Sequence, residues 1–175
     1  MKRKSLEPEA VRVLKRDHKR ITDLLFHFEQ SEDLNHKLSF AETVLNELAV
    51  HSVIEEECVY PLLDKLDKKK LSKRVHSSRK EHDKMDELMT ELGQRDHVDE
   101  NYIELFTRLA EMITDHIEEE EQDLLPALQD VATEELAQKI SDLKNELLKY
   151  ESNGDKDFSP QILLIDRLHQ RRRSA

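Results

Sequence analysis

The sequence predicts an all-α protein, an up-down-up-down four-helix bundle followed by a C-terminal extra helix and a short tail. Three observations carry that expectation. Only two glycines and four prolines interrupt 175 residues, of which 38% are charged, a composition suited to long amphipathic helices. Apolar residues recur at three- and four-residue steps through most of the chain. One stretch also occurs twice: His51-Ser-Val-Ile-Glu-Glu-Glu-Cys-Val-Tyr-Pro61 returns as His116-Ile-Glu-Glu-Glu-Glu-Gln-Asp-Leu-Leu-Pro126.

The first helix is expected from about residue 8 to about 31. Pro8 suits its first turn, and Val11, Leu14, His18, Ile21, Leu25 and Phe28 form one face. A polar turn from Ser31 to His36 leads to a second helix with Phe40, Val44, Leu48, His51, Glu55, Cys58 and Leu62 inward, ending or kinking near Pro61 unless Leu62 and Leu63 continue it. After a turn at Asp67 to Lys70, the third helix carries Leu71, Val75, Ser78, His82, Met85, Met89 and Leu92. It stops at Gly93, which readily takes a left-handed cap.

A charged connection from Gln94 to Glu100 precedes the fourth helix, which presents Ile103, Phe106, Leu109, Ile113, His116, Glu120 and Leu124 before Pro126. A fifth helix, about 133 to 151, has Leu136, Ile140, Leu143 and Leu147 on one face and ends at Asn153-Gly154. Ile162 to Leu168 can form one more short helix before Arg171-Arg172-Arg173. Residues 1–130 are thus expected to form the bundle, and 131–175 a helical extension with a basic tail.

The repeat reaches further than the doubled stretch. Asp17-His18-Lys19-Arg20-Ile21 returns in outline as Glu81-His82-Asp83-Lys84-Met85, so the unit is a helical hairpin used twice. His51 and Glu55 are separated by roughly 40° around a helix, as are His116 and Glu120, so each pair can face one metal-sized object. Counted from the turns, His18, His51, His82 and His116 all lie at one level, roughly 24 Å along their helices, and in an up-down-up-down bundle they converge.

One inward histidine alone reads as a hydrogen-bonded core residue, and an acidic run as a solvated helix face. Six ligand-type side chains at one level read differently, because each ionised group buried without a partner costs several kcal/mol. His18, His51, Glu55, His82, His116 and Glu120 are therefore the expected metal ligands. Imidazole and carboxylate together suit iron, manganese or zinc. The simplest assignment is dinuclear: His18 and His51 on one ion, His82 and His116 on the other, with Glu55 and Glu120 as bridges.

His18, His51-x-x-x-Glu55, His82 and His116-x-x-x-Glu120 in a four-helix bundle resemble the hemerythrin-like, or HHE cation-binding, domains. The resemblance covers roughly residues 8 to 130. It implies two iron ions in a non-haem centre with bridging oxo or hydroxo and carboxylate groups, zinc or manganese being possible substitutes. It also implies a small-molecule partner: dioxygen, peroxide or nitric oxide.

Two departures from the oxygen-carrying hemerythrins weigh against reversible oxygen storage. Ser78 stands where those proteins have a further histidine, and Glu120 and Glu121 stand four and five residues after His116, where they have a single Asp at the fifth. His76 is rotated about 120° from His82 and cannot replace the missing ligand. Consumption of an oxidant and non-enzymatic sensing or carriage are both compatible with the pattern. Iron storage or iron-sulfur repair is expected less, since these residues do not include the cysteine-bearing domain of such repair proteins.

A net charge of −11 disfavours nucleic acid and anionic membranes as partners. One cysteine makes no internal disulfide, and the basic N-terminus leads into no apolar run, so a cytoplasmic protein is expected. Nothing in the sequence specifies an oligomeric state. Cys58 reads as a small core hydrophobe before a redox partner. Glu56 and Glu121 read as solvated or outer groups around the ligands, with an extra ligand from either as the alternative, and Asp86 and Asp123 as inner-side carboxylates without a metal. His27, His36, His97 and His169 read as surface or packing residues, and the arginine run as a solvated tail.

Overall fold

A computed structural model describes residues 7–66, 68–95 and 98–152, the last four as backbone alone. The regular elements of the described residues are all helical, in the order α1 (Glu9–Gln30), α2 (Leu34–Ile54), a π-helical turn (Glu55–Val59), α3 (Tyr60–Asp64), α4 (Lys69–Gly93), α5 (Glu100–Glu119), a second π-helical turn (Glu120–Leu124), α6 (Leu125–Gln129) and α7 (Glu134–Ser152). The π turns join their flanking helices into continuous rods. Four rods run up, down, up and down, and α7 packs outside them against α1 and α2. The sequence expectations for 153–175, and for His97, lie outside the described residues.

The helix starts follow local chemistry. Asp33 accepts the His36 N–H at 2.9 Å and Asp99 the Tyr102 N–H at 2.7 Å, giving α2 and α5 side-chain N-caps. Thr133 Oγ1 accepts the Leu136 N–H at 3.2 Å before α7. Pro8 has no side chain to offer, but its carbonyl receives the Arg12 N–H at 3.1 Å. Where α4 ends at Gly93, Gln94 follows with φ −87°, in the right-handed region, so the residue after the glycine makes no left-handed turn.

The rods do not end at Pro61 or Pro126. A proline lacks an N–H, and in an α-helix its ring collides with the carbonyl four residues back. The chain widens just before each proline instead: the Tyr60 N–H bonds the Glu55 carbonyl and the Leu125 N–H the Glu120 carbonyl, each spanning five residues. Each wide turn begins at the glutamate of a His-x-x-x-Glu pair, so the irregular backbone lies at the level of the four histidines.

The core is aliphatic around that level. Leu14 and Ile21 flank His18, Leu48 precedes His51 and Ile113 precedes His116, and all four are at most 1% exposed. Nearer one end, Phe28 and Phe106 bring their rings to 4.2 Å. Among the described residues, no helix is long and apolar enough to cross a membrane.

Candidate metal centre

His18 from α1, His51 and Glu55 from the second rod, His82 from α4, and His116 and Glu120 from the fourth rod meet in the middle of the bundle. None is more than 2% exposed. The Nε2 atoms of His18 and His51 are 3.1 Å apart, and so are those of His82 and His116. Glu55 joins the two pairs. One of its oxygens lies 3.2 Å from His51 Nε2, the other 3.3 Å from His82 Nε2 and 3.7 Å from His116 Nε2. Glu120 points Oε2 at both halves, 3.6 Å from His18 Nε2 and 3.7 Å from His116 Nε2.

The outer ring nitrogens face carboxylates. His18 Nδ1 meets Glu121 at 3.0 Å, His82 Nδ1 meets Glu56 at 3.3 Å, and His116 Nδ1 meets Glu81 at 2.9 Å. An ionised carboxylate only accepts, so when these three rings are neutral, as a cation requires, the proton belongs on Nδ1 and the Nε2 lone pair points inward. His51 Nδ1 faces Asp17 Oδ2 at 3.9 Å, too far for a hydrogen bond. These carboxylates follow the repeat: Asp17 and Glu81 precede a histidine, and Glu56 and Glu121 follow a central glutamate.

Inward lone pairs fit a cation. Metal–nitrogen bonds of about 2.0–2.1 Å place two nitrogens about 2.8–3.0 Å apart at right angles and about 3.3–3.4 Å apart at the tetrahedral angle, a range that brackets the 3.1 Å of each pair. Glu120 Oε2 is buried without a hydrogen-bond partner, as a ligand oxygen would be. Two sets of ligand atoms converge: His18, His51, Glu55 and Glu120, and Glu55, His82 and His116, each within 4.8 Å of one another. The residues present therefore fit metal ions, with Glu55 common to both sets.

The family profile for the hemerythrin HHE cation binding domain matches residues 9–128. The chain belongs to this family. The fold agrees: the crystal structure of a hemerythrin HHE cation binding domain-containing protein from Mycobacterium kansasii superposes with a TM-score of 0.67, at 21% identity, over 88% of this chain and 97% of that one. Comparison with curated proteins finds no match. As a hemerythrin-like domain the chain is a metal-binding protein, and its buried histidine and glutamate cluster is where the ligand-type atoms meet.

The electrostatics of this hemerythrin-like site reflect crowding of opposite charges. Burial alone pushes His51 down, but the Glu55 carboxylate, with Asp17 and Glu120 beyond it, raises it to about 10. His116 is likewise lowered by burial and raised, chiefly by Glu120 and Glu55, to about 10. Burial raises Glu55, yet His51, His116 and His82 hold it well below the usual carboxylate range.

Tyr60 is the site residue that sequence reasoning missed. It is fully buried, and its hydroxyl lies 2.7 Å from Glu120 Oε1, 3.3 Å from Glu55 Oε2 and 3.4 Å from His82 Nε2. Burial, then Glu55 and Glu120, push its ionisation well above the ordinary value, so it keeps its proton. The second repeat has Leu125 at this place, so the tyrosine makes the two halves unequal. Asp123 corrects an expectation: it is exposed and pairs with Lys70 at 3.3 Å instead of facing inward. Glu56 and Glu121 sit on ring nitrogens, and His27 is a surface residue stacked on Phe40.

Proposed function

We propose that this hemerythrin-like domain holds two iron ions and reacts with or binds a small oxidant: peroxide, dioxygen or nitric oxide. His18 and His51 serve one ion, His82 and His116 the other, and Glu55 and Glu120 lie between. The observation that carries this reading is the pair of 3.1 Å histidine contacts joined through the two oxygens of Glu55. A bound iron pair supplies Lewis acidity and one-electron steps to a small oxidant.

The chain's own residues do the rest. Glu55 and Glu120 offset the charge of the cations, and the outer carboxylates orient the imidazoles. The buried apolar side chains of Leu14, Ile21, Leu48 and Ile113 shield the site from bulk water. Tyr60 holds a proton at its hydroxyl between the two glutamates, where a reacting oxygen atom would need one. That donor favours consumption of the oxidant over non-enzymatic sensing or carriage, which is the second reading.

Anaerobic loading with ferrous iron followed by metal analysis tests the site, and fewer than one ion per chain would overturn it. Adding hydrogen peroxide, and separately air, while recording optical spectra and oxygen evolution separates the two readings. Catalytic loss of peroxide supports an enzyme. A stable, reversible spectral change without turnover supports a sensor or carrier.

A further inference from the structure

Among the described residues, the helix outside the bundle reaches the site through Lys144 and Lys139, both on the side of the first helical hairpin. Lys144 of α7 hydrogen-bonds Oδ1 of Asp17, and Lys139 donates at 3.0 Å to the Glu57 carbonyl, in the π turn that begins with Glu55. Asp17 is 5% exposed, and its other oxygen faces His51 Nδ1 across 3.9 Å, both atoms buried and without a hydrogen-bond partner. The remaining three rings each have a carboxylate within 3.3 Å of Nδ1.

The other half is supported from within the bundle. Glu81, on His116, is held by Arg74 at 3.1 Å and Ser77 at 3.0 Å, and Glu56, on His82, by Arg79 at 3.4 Å. Arg74, Ser77 and Arg79 all belong to α4. The two halves thus have equivalent carboxylates, Asp17 and Glu81, anchored by cations from different parts of the chain.

We propose that Lys144 is a positioning residue for the His18/His51 half of the metal site. Its ammonium fixes Asp17 by one oxygen and leaves the other facing His51 Nδ1, where the carboxylate's charge favours a proton on that nitrogen and strengthens the imidazole as a donor through Nε2. Retention of one ion then depends on α7, and retention of the other on α4. This rests on the two-ion reading above.

The test is cobalt(II) titration of the metal-free full chain, followed by absorption and circular dichroism. The unaltered protein must take two ions, and failure there removes the two-ion reading and leaves Lys144 aside. Lys144→Met is expected to weaken one ion ~10–100-fold, leaving the other unchanged with the spectrum of the ion that His51→Ala retains. Lys144→Arg restores the lost ion. Arg74→Met gives the mirror image, with the spectrum that His116→Ala retains. Asp17→Asn reproduces the Lys144→Met defect, and the double variant is no worse than either single one.

Equal weakening of both ions in Lys144→Met, no weakening, or full additivity with Asp17→Asn would overturn the proposal. So would loss of helical signal in Lys144→Met while Asp17→Asn binds two ions normally, because Lys144 would then only hold α7 in place.

Discussion

The Tyr60 hydroxyl donates a 2.7 Å hydrogen bond to Oε1 of Glu120, across a sequence separation of 60 residues. It ties the first half of the repeat to the second inside the candidate metal site. It also engages the Glu120 oxygen that does not face the histidines, which leaves Oε2 for a cation. Tyr60→Phe removes the only O–H among these groups while keeping the ring. We expect the variant to keep two ions and to lose about 100-fold in peroxide turnover, the scale of a positioned proton donor. Metal analysis and initial rates check this; unchanged turnover with intact metal would remove Tyr60 from the chemistry.

Why Tyr60 escaped a reading of the sequence is a matter of helical phase. Five residues after Glu55, it is about 140° away from it on an α-helix. A π turn closes a bond over five residues and brings the fifth over the first. The same extra residue puts Cys58, expected on the His51 face, beside Glu57 and Lys139 on the side of α7, where burial raises its thiol. Pro61 and Pro126 were the available signal, and they suggested a helix end more readily than a widened turn.

The central six side chains were legible because their spacing precedes any tertiary detail: the doubled His-x-x-x-Glu lies on one helix face before the bundle forms. Glu56 and Glu121 could be suspected from adjacency. Asp17 and Glu81 stood in the repeated dipeptides but face a histidine on the neighbouring rod, which no local pattern reports. Lys144 is 127 residues from the Asp17 it holds, and only the packing of α7 brings them together.

His51→Ala and His116→Ala test the division of the site. Each removes one nitrogen from a different pair, and the aliphatic core around them does not depend on either ring. Each variant is expected to retain one tightly held ion and a helical circular dichroism spectrum. If either retained two tightly held ions, the assignment of histidines to separate ions would be wrong.

Removal of metal makes stability depend on pH in a defined direction. His51 and His116 rise to about 10 in the folded chain from an ordinary value of 6.5. Their stabilisation is complete below about pH 6.5 and is lost as pH climbs towards about 10. Glu55 is depressed, so its stabilisation is present above its ordinary value of 4.5 and is lost as pH falls through its lower folded value. The thermal midpoint of the metal-free protein should therefore decline steadily from pH 7 to pH 10. Metal affinity should rise over that interval, since a cation needs the same nitrogens unprotonated. A midpoint that is flat or rising on the alkaline side would contradict the charge pairing.

Ser78 offers the sharpest comparison with the oxygen carriers. It lies one turn before His82, is fully buried, and its hydroxyl has no hydrogen-bond partner. Glu56 and Glu121, which could have filled this side of the ion, are engaged by His82 and His18 Nδ1. An imidazole from Ser78→His is separated by about 40° from His82 on the same face. It would add a third nitrogen to the His82/His116 half and close a position open to the oxidant. We expect unchanged metal content, a weaker cobalt(II) absorption from the rise in coordination number, slower peroxide decay and slower release of dioxygen. If spectra and both rates match those of the unaltered protein with metal intact, no open position exists beside His82, and the preference for oxidant consumption over carriage must rest on Tyr60 alone.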